Sequence, residues 1–337
     1  MVSQRYNRII RLPDIGEENF ARISRARIAL VGCGTLGGAF GLNLARLGVG
    51  SLRLIDRDFV EEHNLSGQLF FDEDDVRQIL PKAVAAQRHL EKINSACRIE
   101  ARVDDLTGAN AELLLADVDL ILDATDNFEA RFILNDAAIK LGIPWIYCGA
   151  VGYSGAALAI MPGKTACLRC LMDTPPDPAE LPTCETEGVW PPAAQSIAAV
   201  ALTEAARILT GRDPSGRLWQ LDLKTLQWKG IPVRRKEDCP ACTRGEYAHL
   251  SGDPGLQAVK MCGRDMVHLH PSQTRQMDLT ALARKLQATG DTKVNKYLLW
   301  LRTPEAEFIL FKDGRAFVKG VADPARARAL FHRYIGP

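Results

Sequence analysis

The feature that most constrains this chain is the stretch Arg27 to Gly38, which reads RIALVGCGTLGG. The apolar run Ile28 to Val31 has the length of a buried strand, and glycines spaced as G-x-G-x-x-G follow it. An apolar-periodic segment from Ala39 to Leu47 then predicts a helix. A strand, a glycine turn and a helix N-terminus bring backbone N–H groups and a positive dipole together, which suits phosphate oxygens. The stretch therefore predicts a nucleotide site.

A carboxylate at the end of the next predicted strand supports this interpretation. The strand Ser51 to Ile55 is followed by Asp56, where a carboxylate can accept hydrogen bonds from ribose hydroxyls. The glycines that would approach the nucleotide are Gly32, Gly34 and Gly37. This fingerprint does not identify the nucleotide, since a lone glycine motif most often indicates NAD or FAD.

Strands and helices alternate over residues 27 to 150, which predicts a mostly parallel sheet with helices on both faces. A helical segment is expected at 3–26 and a loop at 70–80. Ligands of such sheets bind beyond the carboxyl ends of the strands, where Asp56 and Asp126 both fall. The other strands expected in this region are 99–103, 119–124 and 143–150, and the other helices are 81–93 and a helix that ends at Leu141.

After Gly152 the pattern changes, and a Gly/Asp/Pro patch at Gly252 to Gly255 predicts a domain boundary. We expect domains at 1–245 and 256–337, the first with a nucleotide-binding part at about 27–150 and an extension at about 151–245. The extension is predicted to contain a strand, a proline-rich loop, a helix and a hairpin, at 156–161, 175–192, 192–210 and 217–234. The tail is predicted to be a small α+β domain with helices at 278–288 and 323–334, a strand at 297–302 and a hairpin around Asp313-Gly314.

Charge and hydropathy exclude several functional classes. The 42 Lys and Arg residues balance the 41 Asp and Glu residues, so the net charge of +1 indicates no nucleic-acid partner. No apolar segment reaches the roughly 18 residues of a membrane span, and the N-terminus lacks a secretory apolar core. The sequence therefore predicts a soluble cytoplasmic protein.

The nine cysteines include two C-x-x-C pairs. An odd count spread over a long chain argues against a disulfide scaffold. Two matched pairs favour a closed tetrahedral zinc site of structural type over a redox dithiol or unrelated buried cysteines. The four predicted ligands are Cys167, Cys170, Cys239 and Cys242.

Several other residues have two possible roles, one functional and one purely structural. Asp126 follows a strand, where a carboxylate can hold magnesium beside phosphates, or it caps the next helix. Lys82 is expected to face outward from a first helical turn, as a phosphate partner or as a surface lysine. Cys184, in an acidic proline-rich loop, could be an unpaired spectator. The arginines at three-residue spacing near the N-terminus, which pattern alone assigns to a solvated face, are Arg5, Arg8 and Arg11.

Together and in this order, the motifs resemble those of the ThiF/MoeB/HesA adenylyltransferases, relatives of the ubiquitin-activating enzymes. They are RYNR, VGCGTLGG, LIDRDFVEEHNL, Pro81-Lys82, DATDNFEAR, CLRC, TCETEGV and CPAC, and they extend from residue 5 to about 243. The tail resembles the appended domain of longer bacterial ThiF-type proteins. The resemblance implies an α/β fold with a Rossmann-like, mostly parallel sheet, a zinc-pinned extension and a small C-terminal α+β domain.

The resemblance also implies an activity. Members of the family activate the C-terminal Gly-Gly of a small ubiquitin-like sulfur carrier protein of ThiS or MoaD type, for thiamine or molybdenum cofactor biosynthesis. The carrier carboxylate attacks the α-phosphate of ATP, giving an acyl-adenylate and pyrophosphate, and an already ionised nucleophile needs no general base. The implied partners are that carrier, a second copy in a homodimer and a sulfur donor of cysteine desulfurase or rhodanese type.

The resemblance assigns residue roles by motif. Asp56 would bind the ribose, Asp126 would hold magnesium, and Arg8 would reach the ATP of the partner subunit. Cys184 matches a crossover-loop cysteine that forms a covalent link to the carrier in some members and is dispensable in others. The remaining nucleotide-binding residues implied by the match are Asp58, Asn64, Gln68, Lys82 and Asn127.

One position departs from the family pattern. Gly67 stands where the pattern N-L-x-R-Q has an arginine that would meet the triphosphate. Losing such a contact costs about two orders of magnitude in rate, unless Arg57 or Arg77 replaces it. Two alternatives therefore stay open, a catalytically weakened carrier-binding homologue and an NAD(P)-dependent oxidoreductase. The second explains the glycines and Asp56 but gives no role to Lys82, the TDN motif or the paired cysteines.

Overall fold

The computed structural model describes residues 4–177, 183, 186–251, 258–260, 265–271 and 276–336. The chain divides into two compact units, Met1–Gly252 and Asp253–Pro337. The domain limits 1–245 and 256–337 stay predictions. Within the described ranges, no helix combines the length and the apolar character needed to cross a membrane.

The described residues of the first unit form one eight-stranded sheet. Its strands are β1 (Arg27–Val31), β2 (Ser51–Ile55), β3 (Arg98–Arg102), β4 (Leu120–Asp123), β5 (Trp145–Val151), β6 (Ser154–Ile160), β7 (Arg217–Asp222) and β8 (Gln227–Pro232). Their order is β3-β2-β1-β4-β5-β6-β7-β8. Strands β1 to β5 pair in parallel, and β5 to β8 pair antiparallel. The strand order reverses between β1 and β4, the switch point at which such sheets bind ligands.

Helices flank this sheet on both faces. They are α1 (Asn7–Ile10), α2 (Gly16–Ile23), α3 (Thr35–Leu47), α4 (Glu73–Arg77), α5 (Lys82–Ile93), α6 (Ala111–Leu114), α7 (Phe128–Leu141), α8 (Leu168–Leu171) and α9 (Pro191–Leu209). Alternate residues of β1 enter two separate apolar layers, since Leu30 packs in the layer of α3, α5 and α9, and Val31 in the layer of α6 and α7. The predicted parallel sheet covered on both faces is confirmed.

Three boundaries differ from the prediction. The predicted helical segment 3–26 is divided into α1 and α2. Helix α3 begins at Thr35 and not at Ala39, because its glycine-rich first turn is buried against neighbouring backbone, and packing outweighs weak helix propensity. The expected loop at 70–80 contains α4, whose cap Asp72 accepts hydrogen bonds from the backbone N–H groups of Asp74 and Asp75.

The second unit is a small α+β fold, as predicted. Its described strands are β9 (Ala258–Lys260), β10 (Met266–Leu269), β11 (Asp291–Val294), β12 (Leu298–Arg302), β13 (Glu307–Phe311) and β14 (Ala316–Lys319), and its helices are α10 (Leu279–Leu286) and α11 (Pro324–Tyr334). The strand order is β11-β12-β13-β14-β10-β9, with every neighbouring pair antiparallel. The predicted hairpin joins β13 to β14 through Gly314, which has φ +90°. Strands β9, β10 and β11, each three or four residues long, were not predicted.

The glycine turn after β1 is shaped by backbone packing. Gly32 has φ +96°, and a Cβ there would lie 2.4 Å from the Ala124 oxygen. A Cβ on Gly37 would lie 2.2 Å from the Gly32 oxygen. Gly34 differs, because its φ is −79° and the nearest atom to a Cβ, Gln68 Nε2, is 3.8 Å away. Gly32 and Gly37 are therefore required by the fold, whereas Gly34 leaves open space beside the turn.

We expect Gly37→Ala to destabilise the first unit by about 2 kcal/mol or more, because the methyl group overlaps a backbone carbonyl that has no room to move. Thermal unfolding measures the effect. Gly34→Ala is the matched control, and its melting temperature should stay close to that of the unaltered chain. Equal melting temperatures for Gly37→Ala and Gly34→Ala would contradict this account of the turn.

Candidate nucleotide-binding and metal sites

The switch point of the sheet brings the glycine turn after β1 and the Thr125-Asp126 turn after β4 to neighbouring positions. Asp126 is exposed, and its Oδ1 accepts a hydrogen bond from Asn127 Nδ2 at 3.1 Å. The cap of α7 is Asn127, whose Oδ1 accepts from the Ala130 N–H at 2.8 Å. The plainer interpretation of Asp126 as the helix cap is therefore wrong, and its carboxylate faces solvent beside the turn.

Asp56, at the end of β2, stabilises the glycine turn by hydrogen bonding. Its Oδ2 accepts a hydrogen bond from the Cys33 N–H at 2.6 Å, and its Oδ1 accepts from the Asp58 N–H at 2.7 Å. Burial raises the pKa of this carboxyl from 3.8 to about 6, although the nearby Lys82 charge opposes the shift. The carboxylate is thus held between two backbone donors, in a position where it can also accept from a ligand.

Lys82 does not face outward, so that prediction is wrong. Only 5% of the residue is exposed, and its Nζ lies 3.4 Å from Asp58 Oδ2. Its backbone N–H donates to the Asp58 oxygen at 2.8 Å, which ties the start of α5 to the turn after β2. An ammonium group is kept in such a buried place by a carboxylate partner. The pair fixes the ammonium group at the edge of the crevice.

Asn64 and Gln68 follow in a loop over the glycine turn. Asn64 is 3% exposed, and its Oδ1 accepts from the Glu61 N–H at 2.9 Å, while its backbone oxygen accepts from the Gln68 N–H at 2.9 Å. Gln68 Oε1 is buried and has no hydrogen-bond partner among the described residues. Leaving a buried acceptor unsatisfied costs about 1–3 kcal/mol. The amide nitrogen Nε2 of the same side chain is the atom that faces the space beside Gly34.

Two charged residues that the sequence patterns did not predict as functional hold the Asp126 turn. Asp123 is fully buried, and its Oδ1 accepts from the N–H and the hydroxyl of Thr125 at 2.9 and 2.7 Å. Arg131 Nη2 donates to the Thr125 oxygen at 2.9 Å, and its Nε lies 3.5 Å from Asp123 Oδ2. Burial raises the pKa of Asp123, and Arg131 opposes this. The available signal was a carboxylate that interrupts an otherwise apolar strand.

Arg131 also lies at one end of a cavity of about 420 Å³ above strands β5 to β8. Its guanidinium lies 4.8 Å from the ring centre of Phe128 and 5.2 Å from that of Tyr147. Gly149 lies below it, where a Cβ would be 3.1 Å from Arg131 Nη2. The far end of the cavity is polar, with Gln220, Asp222, Gln227 and Lys229.

Pro191 and Thr35 limit the space beside Gly67, where the family pattern has an arginine. A Cβ on Gly67 would lie 3.3 Å from Pro191 Cγ and 3.5 Å from Thr35 Oγ1, so a larger residue needs a small shift of Pro191. Of the two arginines considered as replacements, Arg77 is exposed on α4 and pairs with Asp74 of its own helix. Arg57 lies directly after Asp56, with its side chain 24% exposed. Only Arg57 is therefore part of the crevice.

The four predicted zinc ligands lie together within 4.8 Å of one another. Their Sγ atoms are 3.9 Å (Cys167–Cys170), 3.6 Å (Cys167–Cys239) and 3.5 Å (Cys170–Cys242) apart. Tetrahedral zinc with Zn–S bonds of about 2.3 Å requires sulfur separations of about 3.8 Å. The spacing fits zinc, and such a site would join the segment at α8 to the segment that follows β8.

The roles predicted for Arg8 and Cys184 are not tested by the contacts described above. Arg8 lies on α1 and is exposed, with no described contact to the turns after β1, β2 and β4. Cys184 lies outside the described residues. Their assigned roles stay predictions.

Comparisons with known proteins identify the family. The ThiF family model matches residues 6–241. The chain belongs to the ThiF family. It is 39% identical over 339 residues to the sulfur carrier protein ThiS adenylyltransferase of Bacillus subtilis, a match that covers 98% of this chain and 99% of the relative. It is 35% identical to the sulfur carrier protein adenylyltransferase of Thermus thermophilus, over 71% of this chain and 90% of the relative.

The family inferred from the motifs is thus confirmed, and the adenylyltransferase activity predicted from it is the activity for which these relatives are named. Among solved structures, Escherichia coli MccB with MccA-N7isoASN has a TM-score of 0.64 at 21% identity, covering 71% of this chain and 75% of that one. At this identity the likeness supports the fold alone.

We expect metal analysis to find one zinc atom per chain, lost in Cys170→Ser, because three thiolates do not complete a closed structural site. A chelator should lower the melting temperature of the unaltered chain. Cys97→Ser is the matched control, since Cys97 is buried outside the cluster, and it should keep its zinc. A full zinc content in Cys170→Ser would contradict this assignment.

The raised pKa of Asp56 predicts a pH dependence of nucleotide binding. Protonation below about pH 6 removes the carboxylate that would accept from ribose hydroxyls, so ATP should bind about tenfold more weakly at pH 5 than at pH 7.5. Calorimetric titration measures this ratio. Asp56→Asn should bind more weakly at pH 7.5 and lose this part of the pH dependence, leaving the titration of ATP itself. An unchanged pH dependence in Asp56→Asn would assign it to another group.

Proposed function

We propose that this chain is an ATP-dependent adenylyltransferase that activates the C-terminal glycine of a ubiquitin-like sulfur carrier protein. The observation that carries the proposal is the similarity to the ThiS adenylyltransferase of B. subtilis, which extends over nearly the whole of both chains. The crevice at the switch point supports it, because phosphate-binding backbone, a ribose-type carboxylate and a buried lysine converge there. Thiamine biosynthesis is the pathway that the relative's name favours, with molybdenum cofactor biosynthesis as the other candidate.

The site residues take the following roles in this proposal. The turn formed by Gly32, Gly34 and Gly37 approaches the phosphates with its N–H groups. Asp56 binds the ribose, and Lys82 exchanges part of its contact with Asp58 for phosphate oxygens. Asn64, Gln68 and Asn127 complete the nucleotide site. The positions of Asn64 and Asn127 in the loops around the turn suggest that each also shapes the backbone that faces the nucleotide.

The chemistry needs positioning and charge rather than a base. The carrier's terminal carboxylate oxygen forms a bond to the α-phosphorus of ATP, and the bond from that phosphorus to the β-bridging oxygen breaks. The products are a carrier acyl-adenylate and pyrophosphate. Because the nucleophile is already ionised, catalysis lies in aligning two anions and neutralising the charge that develops on the phosphates. Lys82 is suited to that task, because it is buried and close to the glycine turn.

The cavity above β5 to β8 provides a path for the carrier tail. Arg131 links its inner end to the Asp126 turn, so a peptide in the cavity would end beside the phosphates. The Arg131 guanidinium packs directly over Gly149, where a Cβ would be 3.1 Å from its Nη2, so the absence of a side chain at Gly149 makes room for the guanidinium. The polar residues at the outer end of the cavity would meet the preceding part of the tail.

Two metals belong to the proposal. Asp126 is the candidate ligand for magnesium, since an exposed carboxylate beside phosphates matches the preference of that ion for oxygen ligands and water. When bound, magnesium would reduce the negative charge of the triphosphate. The four-cysteine cluster would hold zinc in a structural role, because a closed thiolate cage leaves no open position for a substrate.

The proposed working unit is a homodimer. Arg8 is exposed on α1, which is compatible with reaching the ATP of a second copy. A sulfur donor of cysteine desulfurase or rhodanese type would follow the adenylation step, and Cys184 is the candidate for a covalent link to the carrier. The names of the relatives, which are adenylyltransferases, argue against an oxidoreductase.

Gly67 favours one second candidate, a carrier-binding homologue with weakened catalysis. The test is Gly67→Arg, assayed by carrier-dependent exchange between ATP and pyrophosphate. Unchanged exchange with the carrier still bound would favour the second candidate. A gain of exchange would favour a slow enzyme that lacks one phosphate contact.

Carrier-dependent ATP–pyrophosphate exchange tests the leading proposal. We expect exchange with a Gly-Gly carrier from the same genome, and a loss of at least about a hundredfold in Asp126→Ala, because its carboxylate would hold the magnesium that offsets triphosphate charge. Glu129→Gln, an exposed carboxylate change on the next helix, is the matched control and should keep full exchange.

Cys184→Ala should also keep full exchange, because in this proposal the thiol acts only after adenylation. The leading proposal fails if no Gly-Gly carrier of that genome supports exchange with the unaltered, zinc-loaded chain. It also fails if Asp126→Ala and Glu129→Gln behave alike.

A further inference from the structure

The strand order determines the direction in which a bound nucleotide would extend across the strand ends. Asp126 follows β4, the glycine turn follows β1 and Asp56 follows β2, and these strands are neighbours in the order β4-β1-β2-β3. Neighbouring strands are spaced by about 4.8 Å. A nucleotide with phosphates at the Asp126 and glycine turns and ribose at Asp56 therefore continues toward β3. Its base lies at the ends of β2 and β3.

Two charged side chains meet at that position. Arg57 directly follows Asp56, and Asp105 lies three residues beyond the end of β3. Arg57 Nη1 is 2.9 Å from Asp105 Oδ1, and the two side chains are 24% and 14% exposed. Asn110 closes the Asp105 loop, because its Nδ2 donates to the Asp105 oxygen at 2.8 Å and its Oδ1 accepts from the Thr107 N–H at 2.8 Å. The loop that carries the carboxylate partner is therefore fixed by its own hydrogen bonds.

The guanidinium keeps its charge in this place. Burial lowers the pKa of Arg57, but Asp105, Asp58 and Asp126 outweigh burial and hold it above its ordinary value. A second contact, from Arg57 Nε to Asp58 Oδ1 at 3.9 Å, limits rotation of the plane. A planar cation that is weakly hydrated and fixed at its edge is suited to pack against the face of a purine.

We propose that Arg57 contacts the adenine of ATP with its guanidinium plane and that Asp105 is the positioning residue that holds this plane. The inference rests on the proposed ATP-dependent function and names the residues that bind the base. Arg57 then does not replace the arginine absent at position 67, because its 2.9 Å contact with Asp105 places the guanidinium at the loop after β3, beyond the ribose.

The decisive variant is Arg57→Lys. It keeps a cation beside Asp105, so the fold is retained, but it removes the planar guanidinium group. On the full, zinc-loaded chain, calorimetry should show ATP and AMP both bound about tenfold more weakly, a typical effect of losing one stacking contact, and inorganic tripolyphosphate bound as before. In the exchange assay, KM for ATP should rise by the same factor with kcat unchanged.

Two further variants make the test specific. Arg77→Lys changes an exposed arginine outside the crevice and should leave all three affinities unchanged. Asp105→Asn keeps the shape of the side chain but loses its charge, and it should raise KM for ATP by a smaller factor without lowering kcat. A purely structural role of Asp105 would instead lower the melting temperature and leave KM unchanged.

The outcomes separate this inference from the proposed function. Weaker tripolyphosphate binding in Arg57→Lys, or unchanged ATP affinity, would overturn the base-contact role alone. A change in kcat at unchanged KM would overturn it as well. Absence of ATP binding by the unaltered chain would overturn the proposed function and this inference together.

Discussion

The nucleotide crevice depends on the close approach of three backbone segments at the Gly32–Gly37 turn. The Gly32 carbonyl occupies the space of a Cβ on Gly37, and the Ala124 carbonyl occupies the space of a Cβ on Gly32. This contact sets the Asp126 turn beside the glycine turn. Asp56 then locks the arrangement by accepting from the Cys33 N–H. Every charged group of the crevice is placed relative to this packed backbone.

Charge is distributed around that backbone in pairs rather than singly. Lys82 faces Asp58, Arg57 faces Asp105, and Arg131 faces Asp123, each pair at least half buried. Paired charges avoid the cost of isolated ions in a poorly solvated crevice. They also give the site cations that are already fixed in place, so an incoming triphosphate meets an arranged surface. Asp56 and Asp126 differ from these pairs, since Asp56 is held by the backbone N–H groups of Cys33 and Asp58 and the exposed carboxylate of Asp126 is suited to a metal ion.

Sequence patterns predicted the large elements well, because buried parallel strands are continuous apolar runs and their helices repeat at 3.6 residues. The four cysteines of the cluster were also predicted, since C-x-x-C spacing is a local property of the sequence. Several short elements were not predicted. Helix α4 depends on the Asp72 cap within an acidic stretch, and β9 to β11 are too short to show a period. The orientation of Lys82 was missed for another reason, because its burial depends on Asp58, twenty-four residues earlier.

By itself, the sequence determined the family, the strand–turn–helix at Arg27 to Gly38 and most of the residues gathered at the crevice, because each is set by local spacing and residue chemistry. Only the tertiary structure decided which side chains meet. It made Asn127 the helix cap and Asp126 the exposed carboxylate, brought Arg131 to Asp123, and turned Arg57 toward Asp105. These outcomes depend on strand order, and strand order follows from the packing of the whole sheet rather than from any one segment.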